Sequence, residues 1–218
     1  IVLAFRGTLW PEDWLTDLDC EPCACEFNGK KGFVHKGFLL AAQRVAGRLS
    51  SMTAALLADR RYAGYRLILT GHSLGAAVAV LVAALWLEPS NSKSPLGPNG
   101  YLRCIGYGMP AVMSSDLGAS LSDNIVAVVC GTDMVPRFSL GSAIRLRDAM
   151  LGLWRDPELI AKALAIEDKP AASKMLVDLY SSSSSKIVEA LCPPGRVVWI
   201  APEGCQVTVV DRPGLYFQ

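Results

Sequence analysis

Histidine is the scarce residue of this chain. Its 218 residues carry two, His35 and His72, so chemistry that needs an imidazole has only these positions to draw on. Charge is sparse as well, at 19% of residues, and of no single sign, with 21 basic against 20 acidic side chains. That balance, without a basic tract, excludes a nucleic-acid partner. An apolar content of 51% excludes a disordered chain. No run reaches the roughly 20 apolar residues that cross a bilayer; the uncharged stretch Ala76–Leu87 is shorter and reads as a buried helix. Nor does a charged leader open the chain, because Ile1-Val2-Leu3-Ala4-Phe5 already reads as a strand. The sequence is therefore expected to be an excerpt of a longer protein.

A complete disulfide framework is also missing, since the seven cysteines are odd in number. Cys20, Cys23 and Cys25 form C-x-x-C-x-C without an obvious fourth ligand, so loop thiols are expected there and no metal. Cys104 and Cys130 lie in apolar runs and read as core thiols. No cofactor is expected, and the cysteines are expected to be reduced.

What the chain does have is Gly71-His72-Ser73-Leu74-Gly75, a G-x-S-x-G pentapeptide. The apolar run Tyr65–Thr70 precedes it and a helical run follows it. In that setting the serine sits on a tight strand-to-helix turn that exposes its hydroxyl, a nucleophile elbow. The glycines fit because such a turn leaves no room for a Cβ. The bare pattern arises by chance in roughly one chain of this length in fifteen, given ordinary Gly and Ser frequencies. The strand–turn–helix context removes most of those accidents.

Length fits one domain over residues 1–218. Leu39, Ala42, Val45, Leu49, Met52 and Leu56 recur at three and four, which predicts a helix from near Gly37 to about Asp59. Leu67–Thr70, Leu102–Tyr107 and Ile125–Cys130 read as strands, with a short helix near Asp116–Leu121. Glu88–Gly100 reads as a surface loop, Asp156–Ile166 as a helix, and the serine run Ser181–Ser185 as a mobile loop. Arg196–Ala201 and Gln206–Asp211 read as a hairpin, and Leu215–Gln218 as the start of another strand. The alternation predicts an α/β fold of α/β-hydrolase type, with a mainly parallel central sheet and helices on both faces.

Acyl transfer needs a nucleophile, a base, an orienting acid and an oxyanion hole. Ser73 is the nucleophile, and the Leu74 backbone N–H supplies one hole donor. Phe5-Arg6-Gly7-Thr8 follows the first strand, so Thr8 could supply the other; an ordinary strand-end turn explains Arg6-Gly7-Thr8 equally well. In this fold the triad runs Ser, acid, His, and Asp133 follows a strand beyond the elbow. Asp116 and Asp123 flank a helix and read as capping or surface residues. Both histidines precede Asp133, out of order. His35 stands at a helix start and reads as structural, while the ring of His72 is expected to point away from the nucleophile's partner. The catalytic His is therefore expected beyond Gln218.

Phe5-Arg6-Gly7-Thr8, Val34-His35-Lys36-Gly37-Phe38, the elbow and Asp133-Met134-Val135-Pro136-Arg137 together resemble the class 3, fungal-lipase-type lipases. Gly131-Thr132-Asp133 and Pro193-Pro194-Gly195-Arg196-Val197-Val198 narrow the resemblance to the sn-1-specific diacylglycerol lipases. The resemblance implies Ser73 and Asp133 as triad members, Thr8 and Leu74 as the oxyanion hole, and an acylglycerol substrate met at a membrane or lipid-droplet surface. It also implies a lid after Thr8, where Trp10, Trp14, Leu15 and Leu18 can share one side of a short helix; a surface helix packed by two Trp is the other reading. Transmembrane helices before Ile1 and a membrane-associated domain on the cytoplasmic side would follow. A non-catalytic lipid-binding or scaffold domain that kept the fold and lost the base is the competing function, and a triacylglycerol or phospholipase A1-type lipase is the variant in substrate.

Overall fold

Five parallel strands carry the chain's core. In the computed structural model the described residues are 1–7, 21–97, 100–166, 169–182, 191–202 and 206–210, without the side chains of 160, 163, 164, 169, 172, 176, 179, 181, 182 and 210. The strands are β1 (Val2–Phe5), β2 (Pro22–Phe27), β3 (Lys30–His35), β4 (Leu67–His72), β5 (Leu102–Tyr107), β6 (Met113–Ser114), β7 (Ile125–Cys130), β8 (Leu191–Cys192), β9 (Arg196–Ile200) and β10 (Val207–Val210). The helices are α1 (Lys36–Ala58), α2 (Leu74–Leu87), α3 (Ser115–Ala119), α4 (Leu140–Arg155), α5 (Pro157–Ala165) and α6 (Lys169–Ser182). The chain forms two compact units, residues 1–139 with 190–218, and residues 140–189.

In the first unit the main sheet has the order β1-β4-β5-β7-β9-β10. Every pair from β1 to β9 is parallel, and β10 turns back antiparallel on β9. The predicted β9–β10 hairpin is present. Strands β4 and β7 alternate buried and half-buried positions, so Leu67, Leu69, Ile125, Ala127 and Val129 point into the core. The same alternation corrects the expectation for Cys130. It falls on the other phase at the carboxyl end of β7 and is exposed, whereas Cys104 is buried.

Helix α2 has no charged residue and buries ten of its fourteen positions, Val80, Leu81 and Val82 among them. Side chains of that size each contribute about 1.5–3 kcal/mol when fully buried, so α2 is held by the core on nearly every side. Helix α1 matches its predicted span but turns slightly from the predicted stripe. Thr53 takes a buried place and Met52 faces out, which is where a 3.6-residue period puts them after Leu39, Ala42 and Ala46.

A second, antiparallel sheet has the order β2-β3-β6-β8. The expectation of loop thiols is corrected here, because Cys23 and Cys25 lie on β2, paired with Val34 and Gly32 of β3. Asn28 and Gly29 join the two strands with φ of +50° and +71°. Positive φ at both central residues is the hairpin turn that Asn-Gly favours.

In the second unit, α4 occupies residues that the sequence pattern left without an element, and α6 runs through Ser181 and Ser182 of the serine run. Ser183–Ser185 and Leu215–Gln218 lie outside the described residues. Asp156 caps α5 by accepting from the Leu159 N–H at 3.0 Å, and Pro157 opens that helix, where a missing N–H is harmless.

Candidate active site

Ser73 stands between the end of β4 and the start of α2 with φ +52° and ψ −127°. Besides Asn28 it is the other non-glycine residue at positive φ among the described residues. The main chain holds it there. Its N–H donates to the Tyr107 carbonyl at 2.9 Å, and its own carbonyl accepts from Ala76 and Ala77 at 2.9 and 3.2 Å. Its hydroxyl makes no capping bond to α2, although serine commonly caps. The hydroxyl is thereby kept out of the helix's own hydrogen bonding.

Glycines make the bend possible. A Cβ on Gly71 would stand 2.5 Å from the Gly75 carbonyl oxygen, and one on Gly75 would stand 2.3 Å from the Phe5 carbonyl oxygen. A Cβ on Gly7 would meet the His72 carbonyl oxygen at 2.9 Å. The exit of β1 thus lies against the elbow, backbone to backbone. Leu74 is the first residue of α2, and its N–H is among those with no intrahelical acceptor, at the positive end of the helix dipole. Thr8 follows Gly7 directly; with the lid residues Trp10, Trp14, Leu15 and Leu18, and with Cys20, it lies outside the described residues.

Asp133 sits in the turn leaving β7, at the same carboxyl rim as Ser73, with β5 between the two strands. Its N–H donates to the Cys130 carbonyl at 3.1 Å, and its Oδ1 accepts from the Val135 N–H at 3.0 Å. Oδ2 is directed to Gly108, just past β5, where a Cβ would lie 3.0 Å from it. Gly108 has φ +51°, and its N–H donates to the Val128 carbonyl at 2.9 Å. Two bonds from β9 fix the root of the Asp133 turn. The Gly131 N–H donates to the Ile200 carbonyl at 2.7 Å, and the Trp199 indole Nε1–H donates to the Gly131 carbonyl at 2.8 Å.

The histidines divide as follows. His35 is buried at the N-cap of α1, where its Nδ1 accepts from the Phe38 N–H at 3.4 Å and its ring stacks on Phe38. That is the structural role expected of it. His72 is exposed, and its ring shares the Gly108 corner with Asp133, Nε2 lying 3.5 Å from the point a Gly108 Cβ would take. The ring is thus turned to the Asp133 side of the rim, which corrects the expectation that it points away from the nucleophile's partner: His72 is the last residue of β4, and its side chain leans toward the end of β5.

Among the described residues no group of three or more His, Cys, Asp and Glu is placed to hold a metal ion. Burial, with Cys23 and Glu88 nearby, pushes the Cys25 thiol up, so it keeps its proton. A groove of about 480 Å³ runs along the outer side of β1, lined by Val2, Phe5, Val45, Leu49 and Val78 among others. It includes neither Ser73 nor Asp133.

Ser73, Leu74 and Asp133 are therefore brought to one rim. Sequence reasoning missed Gly108 and Trp199. Gly108 carried a signal, a glycine directly after the strand that separates those of Ser73 and Asp133. Trp199 carried none, because its bond spans 68 residues.

A family profile described as lipase (class 3) matches residues 2–142. Diacylglycerol lipase-alpha of Rattus norvegicus is 29% identical over 226 residues, covering 92% of this chain and 21% of that protein. Diacylglycerol lipase-beta of Mus musculus is 30% identical over 154 residues, covering 69% of this chain and 22% of that protein. The chain thus spans about a fifth of the length of these relatives. Among solved structures, the triacylglyceride lipase of Rhizomucor miehei superposes with a TM-score of 0.56 at 19% identity, over 97% of this chain and 62% of that one. The fold is that of the α/β-hydrolases.

Proposed function

The chain belongs to the class 3 lipase family, and from that premise we propose that it is the catalytic domain of a serine hydrolase that cleaves acyl esters of glycerolipids, diacylglycerol above all, to monoacylglycerol and fatty acid. The observation that carries this is Ser73. It is a non-glycine residue held in a strained conformation, its hydroxyl uncommitted to its own helix, on the rim that also bears Asp133. Strain of that kind costs about 1–3 kcal/mol and persists where function uses it.

In the proposed reaction Ser73 Oγ attacks the ester carbonyl while an imidazole takes its proton. Asp133 Oδ2 orients that imidazole. The oxyanion is held by the Leu74 N–H, at the positive end of α2, and by Thr8. Collapse of the tetrahedral intermediate expels the glycerol oxygen with the proton, and water then releases the fatty acid from Ser73 by the same steps. His35 is committed to α1, and His72 precedes the nucleophile on β4, out of the order that the triad takes in this fold, so the base in this reading is a histidine beyond the β9–β10 hairpin in the full-length protein. The domain works at a membrane or lipid-droplet surface, where its substrate resides. The thiols at Cys25, Cys104 and Cys130 fit a reducing compartment and so a cytoplasmic face.

The test is labelling of the full-length protein with a fluorophosphonate, alongside diacylglycerol hydrolysis. Ser73→Ala is expected to abolish both. Asp133→Asn is expected to lower kcat by about 10⁴-fold. Folded full-length protein that neither labels nor hydrolyses any acylglycerol would sink the proposal and favour a lipid-binding domain.

A further inference from the structure

The main chain around Asp133 is fixed more fully than its carboxylate. Trp199, Ile200 and Cys130 hold the root of the turn, and Oδ1 accepts from the Val135 N–H. Among the described residues nothing donates to Oδ2, which is aimed at the corner over Gly108. The imidazole of His72 enters that corner from the other side. A Cβ on Gly108 would lie 3.0 Å from Asp133 Oδ2 and 3.5 Å from His72 Nε2. Nor does any hydrogen bond among the described residues engage the His72 ring. An acceptor oxygen and a ring nitrogen able to donate thus face one small space.

Gly108 keeps that space open. At φ +51° a side chain there is strained, and its Cβ would crowd both groups. Its N–H is tied to the Val128 carbonyl, so the corner does not close by a shift of the main chain. His72 is tied as well. It ends β4 in register with Tyr107, and the next N–H, that of Ser73, donates to the Tyr107 carbonyl. Its ring therefore swings about its own side-chain bonds alone, across a gap that a rotation or a single water closes. Other uses for the ring are not met. It caps no helix, unlike His35, and among the described residues it joins no cluster that could hold a metal ion.

We infer that His72 is a positioning residue for Asp133, its Nε2–H serving Oδ2 across the Gly108 corner. A carboxylate oxygen has two acceptor sites. On the serine-hydrolase reading of Ser73 and Asp133, from which this follows, one site takes the N–H of the base and the other that of His72. The plane of the carboxylate is then set at both of its oxygens, Oδ1 by Val135 and Oδ2 by His72.

Steady-state hydrolysis of a soluble short-chain ester by the full-length protein tests this. His72→Phe keeps a ring and removes the donor. It is expected to lower kcat by about tenfold at unchanged KM, because a carboxylate free to turn misorients the base. His72→Gln puts an amide N–H near the place of Nε2 and is expected to return kcat to within about threefold of the parent, whereas the shorter His72→Asn falls with His72→Phe. Unchanged circular dichroism and melting will show that the fold is kept, and the Gln–Asn contrast reads the donor without an aromatic ring. In an Asp133→Ala background, His72→Phe is expected to cost less than about twofold more, since a residue acting through the carboxylate has nothing left to act on. Equal losses in both backgrounds overturn the inference, because His72 would then act on the elbow or on the ester. A loss confined to KM, or parental kcat in His72→Phe, overturns it too. Any of these results with an active parent leaves the catalytic reading standing, whereas an inactive parent defeats that reading and this inference with it.

Discussion

Trp199 holds Gly131 by a single hydrogen bond, indole Nε1 to carbonyl oxygen at 2.8 Å, and Gly131 is two residues from Asp133. Asp133 is thereby positioned from the neighbouring strand as well as by its own turn. Trp199→Phe keeps a ring in place and removes the donor. The orphaned carbonyl costs about 1 kcal/mol, a fall of only a few degrees in Tm for a domain of this size. Turnover by the full-length protein is expected to drop about tenfold at unchanged KM, because a misplaced acid misorients the base. Steady-state kinetics beside a melting curve will check this, and parental kcat would show that the bond is merely structural.

The backbone at Ser73 opposes stability and function. At φ +52° and ψ −127°, a Cβ is strained and glycine is not. Ser73→Gly is expected to be more stable than Ser73→Ala by about 1–2 kcal/mol, with both inactive. Denaturant titration of the two variants decides it, and equal midpoints would remove the strain argument.

Two glycine-to-alanine changes should move in opposite directions. A Cβ on Gly75 meets the Phe5 and Arg6 main chain, whereas one on Gly47, exposed in α1, meets nothing within 4 Å. Gly75→Ala is expected to destabilise by about 3 kcal/mol or more. Gly47→Ala is expected to stabilise by about 0.5–1 kcal/mol through helix propensity. Differential scanning calorimetry reads both, and a neutral Gly75→Ala would contradict the close backbone contact.

Much of this site was legible because its signals are local. The elbow lies within five residues, and Asp133 leaves a strand of unbroken apolar character. The β2–β3 hairpin went unread although Asn28-Gly29 marks its turn, because the cysteine spacing drew the reading toward loop thiols. Helix α4 went unread because Leu146, Met150, Leu151 and Trp154 are exposed, so its apolar residues do not trace one buried stripe. The Cys130 exposure and the Trp199 bond depend on strand phase and on neighbours remote in sequence, which a linear pattern does not carry.

Burial pushes the Cys104 thiol up to about 12 from a usual value near 9. The folded state then holds a proton that the unfolded chain releases above pH 9, so this group's contribution to stability falls as pH rises between about 9 and 12. The slope is at most about 1.4 kcal/mol per pH unit. Melting curves from pH 8 to 11 are expected to fall more steeply for the parent than for Cys104→Ala. Iodoacetamide at pH 8 should label exposed Cys130 and spare Cys104; rapid labelling of Cys104 in folded protein would contradict its burial.

Gly71 and Gly75 press against carbonyl and amide atoms, which every residue type shares. No substitution nearby can clear space for a side chain at either position, so compensation by a second mutation is closed off. Divergence of this domain must therefore proceed on the walls around the hydroxyl, with the seat of the hydroxyl itself left as it is.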